Sequence, residues 1–301
     1  MVTGARRPGA VAVGLLGDLA IGDPPTRWHP VGWFGTTMTA LERPLYRDAR
    51  AIGVAHAGAG VALGIAAAAL CPSVAAATAV CTAGRTLVRS AHDVADQLDV
   101  GDLDGARALL PALAGRDPAQ LDEGEIARAV VESVAENTVD AIVAPTFWAA
   151  IGGARGAFVH RAINTMDAMV GHRSDRYRRY GWAAARLDDA AAWIPARLTA
   201  ALVAVVRPST TRDVMTAVRR QAPAHPSPNS GVAEAAYAAA LGVRLGGTNV
   251  YAGRVDHRPI LGTGRPPAPH DIRRATALCR DITFALVGSL ATASAVQGWR
   301  E

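Results

Sequence analysis

The sequence of 301 residues contains no lysine, so all 31 of its formally basic side chains are arginines. A lysine Schiff base is therefore excluded, and so is a phosphate-binding loop of the GxxxxGK[ST] type. Aromatic residues make up only 5% of the chain, and it carries no recognisable nucleic-acid-binding motif. Although the pI is about 9.6, we do not expect nucleic acid as a partner, because arginines that flank membrane segments give the same charge balance.

Cysteine is also scarce, with only Cys71, Cys81 and Cys279 in the chain. None of them belongs to a CxxC pair, and two lie in apolar, alanine-rich sequence. We therefore expect buried thiols rather than a disulfide or a metal site.

Charge is missing altogether from residues 51–84, where His56 is the only titratable side chain apart from two thiols. This run exceeds the roughly 20 apolar residues that a helix needs to cross a bilayer. Its many alanines and glycines lower the hydropathy but permit close packing between helices in lipid. Residues 51–70 are therefore the strongest candidate for a transmembrane helix.

The rest of the pattern predicts helices joined by polar segments, with no repeat and no convincing strand. One helix begins near Asp122 and carries Glu123 and Glu125 in its first turn, where carboxylates interact favourably with the helix dipole. We predict an all-α fold, a multi-pass integral membrane helical bundle with broken or re-entrant helices and polar helical loops, and treat 1–301 as one membrane-embedded domain. Five further helices are expected, at 9–21, 36–50, 73–88, 231–245 and 271–298. A soluble-like helical insertion is expected over about 89–138, and a Gly/Pro-rich loop over about 246–270.

Two apolar segments, 141–159 and 190–206, are interrupted by prolines, glycines or arginines. As a straight helix, 141–159 would rise roughly 30 Å and would separate the polar motifs at its two ends by the thickness of a membrane. If those motifs cooperate, the segment must be broken or re-entrant, which is tolerated where protein or water covers the backbone.

Glu132, Glu136 and Asp140 are spaced i, i+4, i+8, so a helix would stack them on one face with Asn137 beside Glu136. Like charges at this spacing repel, so three of them need a counter-charge. Mg²⁺ is one answer, because it often lies between protein carboxylates and substrate phosphates, and arginine is the other. A solvated acidic helix face would explain the same spacing.

Asn164 and Asp167 form a second oxygen pair at i, i+3. Five arginines surround it in the sequence: Arg161, Arg173, Arg176, Arg178 and Arg179. Because arginine binds carboxylate and phosphate bidentately, the cluster predicts an anionic substrate. The same arginines fit the positive-inside rule for membrane proteins, and one cluster can serve both roles.

Two proline-rich loops carry histidine. The loop GDPPTRWHPVGWFG (22–35) holds Asp23 and His29, either as part of a site or as a capped helix end. The loop HPSPNSG (225–231) opens into a helix, whose N-terminal amides suit an anion unless Asn229 or Ser230 is an ordinary N-cap. His225 is either an acid–base group or a capping side chain.

Four stretches together resemble the adenosylcobinamide-phosphate synthases of cobalamin biosynthesis, the CobD/CbiB family: GDPP…HPVGWFG, VESVAENTVDAIVAPTFWAAIGG, RAINTMDAMVGHRSDRYRRYGWAAARLDDAAAWIPARLTA and HPSPNSGVAEAAYAAALGVRLGG. The resemblance covers roughly residues 11–262. It departs from the family pattern at His172, where the family has tyrosine, and this argues against His172 as a catalytic base.

The resemblance implies a multi-pass protein of the inner cell membrane that acts as a corrinoid ligase. The reaction would join the free propionate carboxylate of adenosylcobyric acid to the amine of (R)-1-amino-2-propanol or its O-phosphate. The family would use ATP with Mg²⁺, and other late enzymes of the cobalamin pathway are expected partners.

The resemblance supplies no residue-level roles, so we assign them as hypotheses. Either histidine would accept the amine proton, since a base near pH 7 suits imidazole, and the catalytic set is Glu132, Glu136, Asn137, Asp140, Asp167, His29 and His225. The metal ligands would be Glu136, Asp140 and Asp167. The substrate-binding set is Asp23, Asn164, Arg161, Arg173, Arg176, Ser227 and Asn229.

Two other functions fit the same residues. One is a membrane phosphohydrolase, and the other is a non-catalytic corrinoid transporter or binding subunit whose intramembrane charges line a path. ATP-dependent consumption of cobyric acid and an aminopropanol distinguishes these functions from the ligase.

Overall fold

The computed structural model describes residues 7–24, 26–172, 174–251 and 254–299. The chain divides into two compact units: a first unit of Met1–Ala83, Asp140–Ala192 and Val287–Glu301, and a second unit of Gly84–Val139 and Trp193–Leu286. The single membrane-embedded domain remains a prediction, whereas the predicted helical character is confirmed in both units.

The helices are, in chain order, α1 Arg7–Ile21, α2 Pro30–Leu45, α3 Arg50–Leu70, α4 Val74–Cys81, α5 Gly84–Asp99, α6 Leu103–Leu109, α7 Glu123–Thr138, α8 Ala144–Met166, α9 Trp182–Ala191, α10 Trp193–Val206, α11 Thr211–Arg220, α12 Ser230–Leu241 and α13 Pro269–Gly298. The helix expected over 73–88 is therefore two helices, α4 and α5. The three cysteines are free thiols, and two of them are buried, as expected.

In the first unit, α8 packs against α1, α3 and α4. The glycines of α3 permit this: a Cβ added to Gly64 would lie 3.0 Å from the Phe158 carbonyl oxygen and 3.2 Å from the Ala162 Cβ. A neighbouring core cluster gathers larger side chains, among them Met38, Met166 and Tyr180. The close helix packing predicted from the alanine and glycine content is thus confirmed.

The apolar segment 141–159 is broken, as predicted. Within α8, Gly153 has a φ of 64° and a ψ of −149°, which are not helical. A π-helix, Val139–Val143, precedes α8, and a second one, Asp167–Gly171, follows it. The other interrupted segment, 190–206, also breaks, between α9 and α10. A re-entrant course remains a prediction.

Within the described ranges, three continuous helical stretches are long and apolar enough to cross a membrane: Arg50–Leu70, Glu123–Gly171 and Pro269–Gly298. The bent pair formed by α9 and α10 adds a fourth if it counts as one span. These lengths and compositions support a membrane location.

In the second unit, α12 packs against α7, α10 and α11. Helix α7 begins after Asp122, as predicted. Its start is a capping box, in which Asp122 accepts from the Glu125 amide at 2.8 Å and Glu125 accepts from the Asp122 amide at 3.0 Å. The contact between α7 and α12 brings Glu132 and Glu136 towards Glu234.

The Gly/Pro-rich loop predicted over 246–270 is wrong in its first half. Strands β1 Leu245–Tyr251 and β2 Arg254–Leu261 form an antiparallel hairpin with a register shift between Leu245 and Gly247. Gly246 and Gly247 have φ values of 85° and 98°, which other residues rarely adopt. These glycines and Pro259 interrupt the alternation by which a strand is recognised, so the pattern concealed the hairpin.

Candidate functional site

Three glutamates from two packed helices come together in the second unit, and we call them the glutamate cluster: Glu132 and Glu136 on α7, and Glu234 on α12. Glu132 and Glu234 are each only 5% exposed. Burying several carboxylates costs free energy unless partners compensate. A cluster of this kind is therefore a candidate functional site.

Glu132 is saturated by hydrogen bonds. Its carboxylate accepts from the Arg116 guanidinium, from Arg128 at 3.3 Å and from the Gly246 amide at 2.7 Å. Both arginines also donate to the side-chain oxygen of Asn249, at 3.0 and 2.9 Å. Since Gly246 and Asn249 belong to β1, Glu132 fastens the hairpin to α7 and is poorly placed to bind a metal or a substrate.

Glu136 has fewer partners and is the more reactive candidate. Its carboxylate accepts a side-chain hydrogen bond from Ser230, the first residue of α12, and feels the charge of Arg258. Burial raises the pKa of Glu234 well above its ordinary value, and repulsion by Glu136 and Glu132 adds to the shift. Burial and the neighbouring carboxylates therefore favour the neutral form of Glu234, which can donate a hydrogen bond, more than they would for an exposed glutamate.

His225 lies against the glutamate cluster and is 7% exposed. Its Nε2 is 3.5 Å from Glu234 Oε1 and 3.1 Å from the Arg258 guanidinium, and its Nδ1 is 3.1 Å from the Ser227 carbonyl oxygen. Arginine only donates, so Nε2 accepts from Arg258, whereas Nδ1 lies 3.1 Å from both the amide nitrogen and the carbonyl oxygen of Ser227. Burial lowers the pKa of His225, and Arg258 lowers it further. The ring is thus a neutral base whose lone pair is covered by Arg258.

The loop that follows His225 caps α12. Ser227 Oγ accepts from the amides of Asn229, at 3.3 Å, and Ser230, at 3.2 Å. Arg197 donates to the Asn229 side-chain oxygen at 3.3 Å. The helix end is capped, as one interpretation of this loop expected, but the side chain that accepts from its amides is Ser227 rather than Asn229 or Ser230. Ser227 thereby occupies two amides that an anion would need. The substrate-binding roles of Ser227 and Asn229 remain predictions.

Asn164 and Asp167 lie in the first unit, where two further acids join them. Asn164 donates to the Asp188 carboxylate at 3.3 Å, and both Asp188 and Asp189 are close enough to Asp167 to repel its charge. Arg186 pairs with Asp189 at 3.2 Å. Asp188 and Asp189 fall in the last turn of α9.

His29 caps α2. Its Nδ1 accepts from the Val31 amide at 3.1 Å, and its Nε2 donates to the Asp23 carboxylate at 3.1 Å. Both ring nitrogens are therefore engaged. The structure favours the helix-capping alternative for His29, with Asp23 as the group that orients the ring.

The arginines predicted to bind substrate have different surroundings. Arg176 donates to the buried Glu42 at 2.9 Å. Arg161 lines a mainly apolar cavity of about 60 Å³ together with Cys81 and Thr165. Arg173 lies outside the described residues.

The predicted metal ligands are divided between the units, with Glu136 in the second and Asp140 and Asp167 in the first. Asp140 belongs to the π-helix that follows α7. Asn137, which was predicted to be catalytic, donates its carboxamide to the Ser133 carbonyl at 3.0 Å. Among the described residues, no three His, Cys, Asp or Glu side chains are arranged to hold a metal ion. The magnesium site stays a prediction.

Sequence reasoning missed several members of the site. Glu234 offered a signal, because it is the only charged residue in the alanine-rich α12 sequence SGVAEAAYAAAL. Arg116 and Arg258 offered none, since a loop and the unforeseen hairpin carry them to the glutamate cluster.

The profile of the family described as CobD/Cbib protein matches residues 11–279. The cobalamin biosynthesis protein CobD of Mycobacterium tuberculosis is 48% identical over 291 residues, covering 92% of this chain and 93% of that protein. Proteins of the same name are 43% identical over 289 residues in Rhodobacter capsulatus, covering 90% and 91%, and 40% identical over 324 residues in Pelobacter propionicus, covering 97% of both chains. No solved structure matches the chain. Likeness at this level over nearly the whole length shows that the chain belongs to the CobD/Cbib family.

Proposed function

We propose that this protein is a corrinoid acid–amine ligase of cobalamin biosynthesis, an adenosylcobinamide-phosphate synthase embedded as a multi-pass protein in the inner cell membrane. It joins the free propionate carboxylate of adenosylcobyric acid to the amine of (R)-1-amino-2-propanol or its O-phosphate. One carbon–nitrogen bond forms and one carboxylate oxygen leaves with phosphate, as ATP is converted to ADP. Other late enzymes of the pathway are its proposed partners.

The observation that carries this proposal is the glutamate cluster with His225 beside it. An ammonium group must lose its proton before its nitrogen can attack a carboxyl carbon, and a neutral imidazole suits that step. Arg258 covers the Nε2 lone pair. A substrate carboxylate that drew Arg258 into a bidentate pair would uncover the base. Glu136 and Glu234 would then relay the proton that His225 takes from the amine towards the carboxylate oxygen that leaves with phosphate.

ATP and Mg²⁺ belong to the proposal as well. Mg²⁺ is usually held by one or two carboxylates together with substrate phosphates, so Glu136 or the acids around Asp167 provide donors of a suitable kind. When bound, the ion would neutralise phosphate charge. Glu132 does not fit as a ligand, because its two oxygens already accept three hydrogen bonds.

The decisive experiment is a ligation assay with membranes that contain the protein, supplied with adenosylcobyric acid and either form of the amine. We expect an amide product only when ATP is present, with consumption of both substrates. Turnover of a phosphoester without cobyric acid would favour a phosphohydrolase. A purified protein that turns over neither would favour a corrinoid transporter or binding subunit.

Glu136→Gln tests the assignment of the site. We expect product formation to fall by on the order of a hundredfold or more, because the substitution removes a carboxyl group positioned to transfer a proton. Glu123→Gln is the matched control, since Glu123 is an exposed residue in the first turn of the same helix. If Glu136→Gln keeps full activity, the site lies elsewhere.

A further inference from the structure

A buried carboxylate in the first unit is surrounded by three tyrosines, and we call the arrangement the tyrosine cage: Glu42, Tyr46, Tyr177 and Tyr180. Glu42 is 6% exposed. The ring centroids of Tyr46 and Tyr177 lie 5.3 and 6.2 Å from that of Tyr180. Tyr177 also donates its hydroxyl to Glu42 at 2.9 Å. Aromatic faces around a carboxylate are the features that recognise organic cations.

The cage is occupied by a cation of the protein's own chain. Arg176 donates to Glu42 at 2.9 Å, and its guanidinium carbon lies 3.9 Å from the Tyr46 ring centroid and 5.4 Å from that of Tyr177. Tyr46 in turn donates to the Arg176 carbonyl at 2.7 Å. The cage therefore binds a cation by charge and by ring faces together.

Two observations indicate that this occupant can be exchanged. The Arg176 side chain is 53% exposed, while that of Glu42 is 8% exposed. Arginine can therefore leave for water, whereas the carboxylate would remain buried and in need of a cation. In addition, the Tyr180 hydroxyl is buried and has no hydrogen-bond partner in the described part of the chain. Burial raises the pKa of Tyr180 to about 12, so this hydroxyl stays neutral and can still accept a hydrogen bond.

We propose that the tyrosine cage is a binding site for a small primary ammonium ion, with Arg176 as its resting occupant. This inference rests on the proposed function in one respect, the choice of the amine substrate as the ligand. An ammonium group has three N–H donors. The Glu42 carboxylate and the Tyr180 hydroxyl offer it two acceptors, and the rings of Tyr46 and Tyr177 offer it their faces. Once displaced, Arg176 would carry an unpaired charge that suits the phosphate of a phosphorylated amine.

Calorimetric titration of the purified full-length protein in detergent, without ATP or corrinoid, tests the inference. The probe is (R)-1-amino-2-propanol, and 1,2-propanediol serves as its uncharged comparator. Arg176→Ala and Arg176→Met should each bind the amine at least about tenfold more tightly than the unaltered protein, because a competing cation has been removed. Methionine keeps an apolar side chain against Tyr46, so it covers the case in which alanine disturbs the fold.

Glu42→Gln should abolish binding, and Arg43→Ala should leave it unchanged. Arg43 is exposed, lies next to Glu42 in the last turn of α2 and makes no ion pair with Glu42 in the described residues. Fluorotyrosine labelling provides a second measurement, since the chain has five tyrosines and the signals of the three in the cage should move on titration.

Equal affinity in the unaltered protein and both Arg176 variants would overturn the inference, and so would binding that survives Glu42→Gln. A loss of stability without any gain in amine affinity would also overturn it, because Arg176 would then be a structural clasp. The proposed function fails separately: amine binding with this mutational pattern, in a protein that forms no amide, would leave the cage standing and remove the ligase.

Discussion

Glu132 in the second unit and Glu42 in the first are almost equally buried, at 5% and 6% exposure, but their partners differ. Glu132 is bound by two arginines and a backbone amide, and the side chains of Arg116 and Arg128 are only 7% and 12% exposed. Glu42 is bound by a tyrosine hydroxyl and by an arginine that is half in solvent.

This difference separates a structural carboxylate from one that can exchange its partner. Removing Glu132 would strand two buried cations and release the hairpin, so its network has no low-energy alternative. When Arg176 leaves Glu42, its guanidinium passes into water, and the buried carboxylate needs another cation in its place. Among buried acids, the exposure of the counter-ion is thus more informative about function than the burial of the acid.

The largest expected effect tests the first half of that comparison. Glu132→Gln should destabilise the protein by about 3–5 kcal/mol, the usual cost of leaving a buried charge without its partner. Glu42→Gln should cost only about 2 kcal/mol, because it weakens hydrogen bonds to a charged group while Arg176 remains solvated. Chemical unfolding in detergent, followed by circular dichroism, measures both values. If the two variants lose equal stability, counter-ion exposure does not distinguish the sites.

Gly153 provides the next largest effect, in the first unit. Its φ of 64° and ψ of −149° fall in a region that is essentially reserved for glycine. Gly153→Ala should therefore cost about 1–3 kcal/mol, although the added Cβ would have ordinary space, with Val74 Cγ2 at 3.6 Å. The same unfolding experiment measures the loss.

Gly152→Ala is the matched control for this break. No described atom lies within 4 Å of a Cβ at Gly152, and its φ is not positive. We expect it to be neutral or to stabilise the helix by about 0.5–1 kcal/mol. Equal losses at positions 152 and 153 would mean that the break in α8 is not required by the fold.

In the second unit, Glu234 should make the stability of the protein depend on pH. Burial raises the pKa of Glu234 well above its ordinary value of 4.5. Between 4.5 and the raised pKa the folded protein binds more protons than the unfolded chain, so Glu234 lowers stability as the pH rises through this window. Relative to Glu234→Gln, the unaltered protein should lose up to about 1.4 kcal/mol per pH unit there.

His225 gives the opposite sign and so provides the control. Burial lowers its pKa below the ordinary value of 6.5. The unfolded chain then binds more protons than the folded protein, and the contribution of His225 to stability is lost as the pH falls below 6.5. His225→Gln should remove that loss. The measurement is the free energy of unfolding of both variants and the unaltered protein from pH 4 to pH 9. If that free energy depends on pH in the same way in all three proteins, the placement of the two groups in the glutamate cluster is contradicted.

The sequence predicted what depends on local periodicity. The uncharged run at 51–70 is α3, Asp122 starts α7, and the interruption at Gly152-Gly153 marks a real break. The hairpin was missed because two glycines and a proline obscure its alternation. The locally spaced acids were found, but Glu132 was assigned to catalysis because its spacing resembles that of Glu136. Only tertiary contacts show that Glu132 accepts from Arg116 and from the Gly246 amide, and its catalytic role remains a prediction.

The tyrosine cage could not be predicted either, because only tertiary contacts bring its residues together. Glu42 comes from α2, whereas Tyr177 and Tyr180 come from a segment more than a hundred residues later. No spacing rule relates them. The cluster RSDRYRRYGW showed its arginines plainly, and the sequence therefore suggested an anion site where the folded chain places cation–π contacts around a carboxylate.

Two buried tyrosines, one in each unit, differ in the hydrogen bonds of their hydroxyl groups. Tyr237 and Tyr180 are 0% and 1% exposed. Tyr237 donates its hydroxyl to Thr138 Oγ1 at 2.7 Å, because that oxygen already donates to the Val134 carbonyl. The Tyr180 hydroxyl has no hydrogen-bond partner among the described residues. Tyr237→Phe should therefore lower the free energy of unfolding by about 1 kcal/mol, and Tyr180→Phe should not change it measurably.

In the tyrosine cage, however, Tyr180→Phe should weaken amine binding to a protein that also carries Arg176→Ala. A hydroxyl that is silent in stability but active in binding is a ligand group, whereas equal losses of stability would mean that Tyr180 is structural.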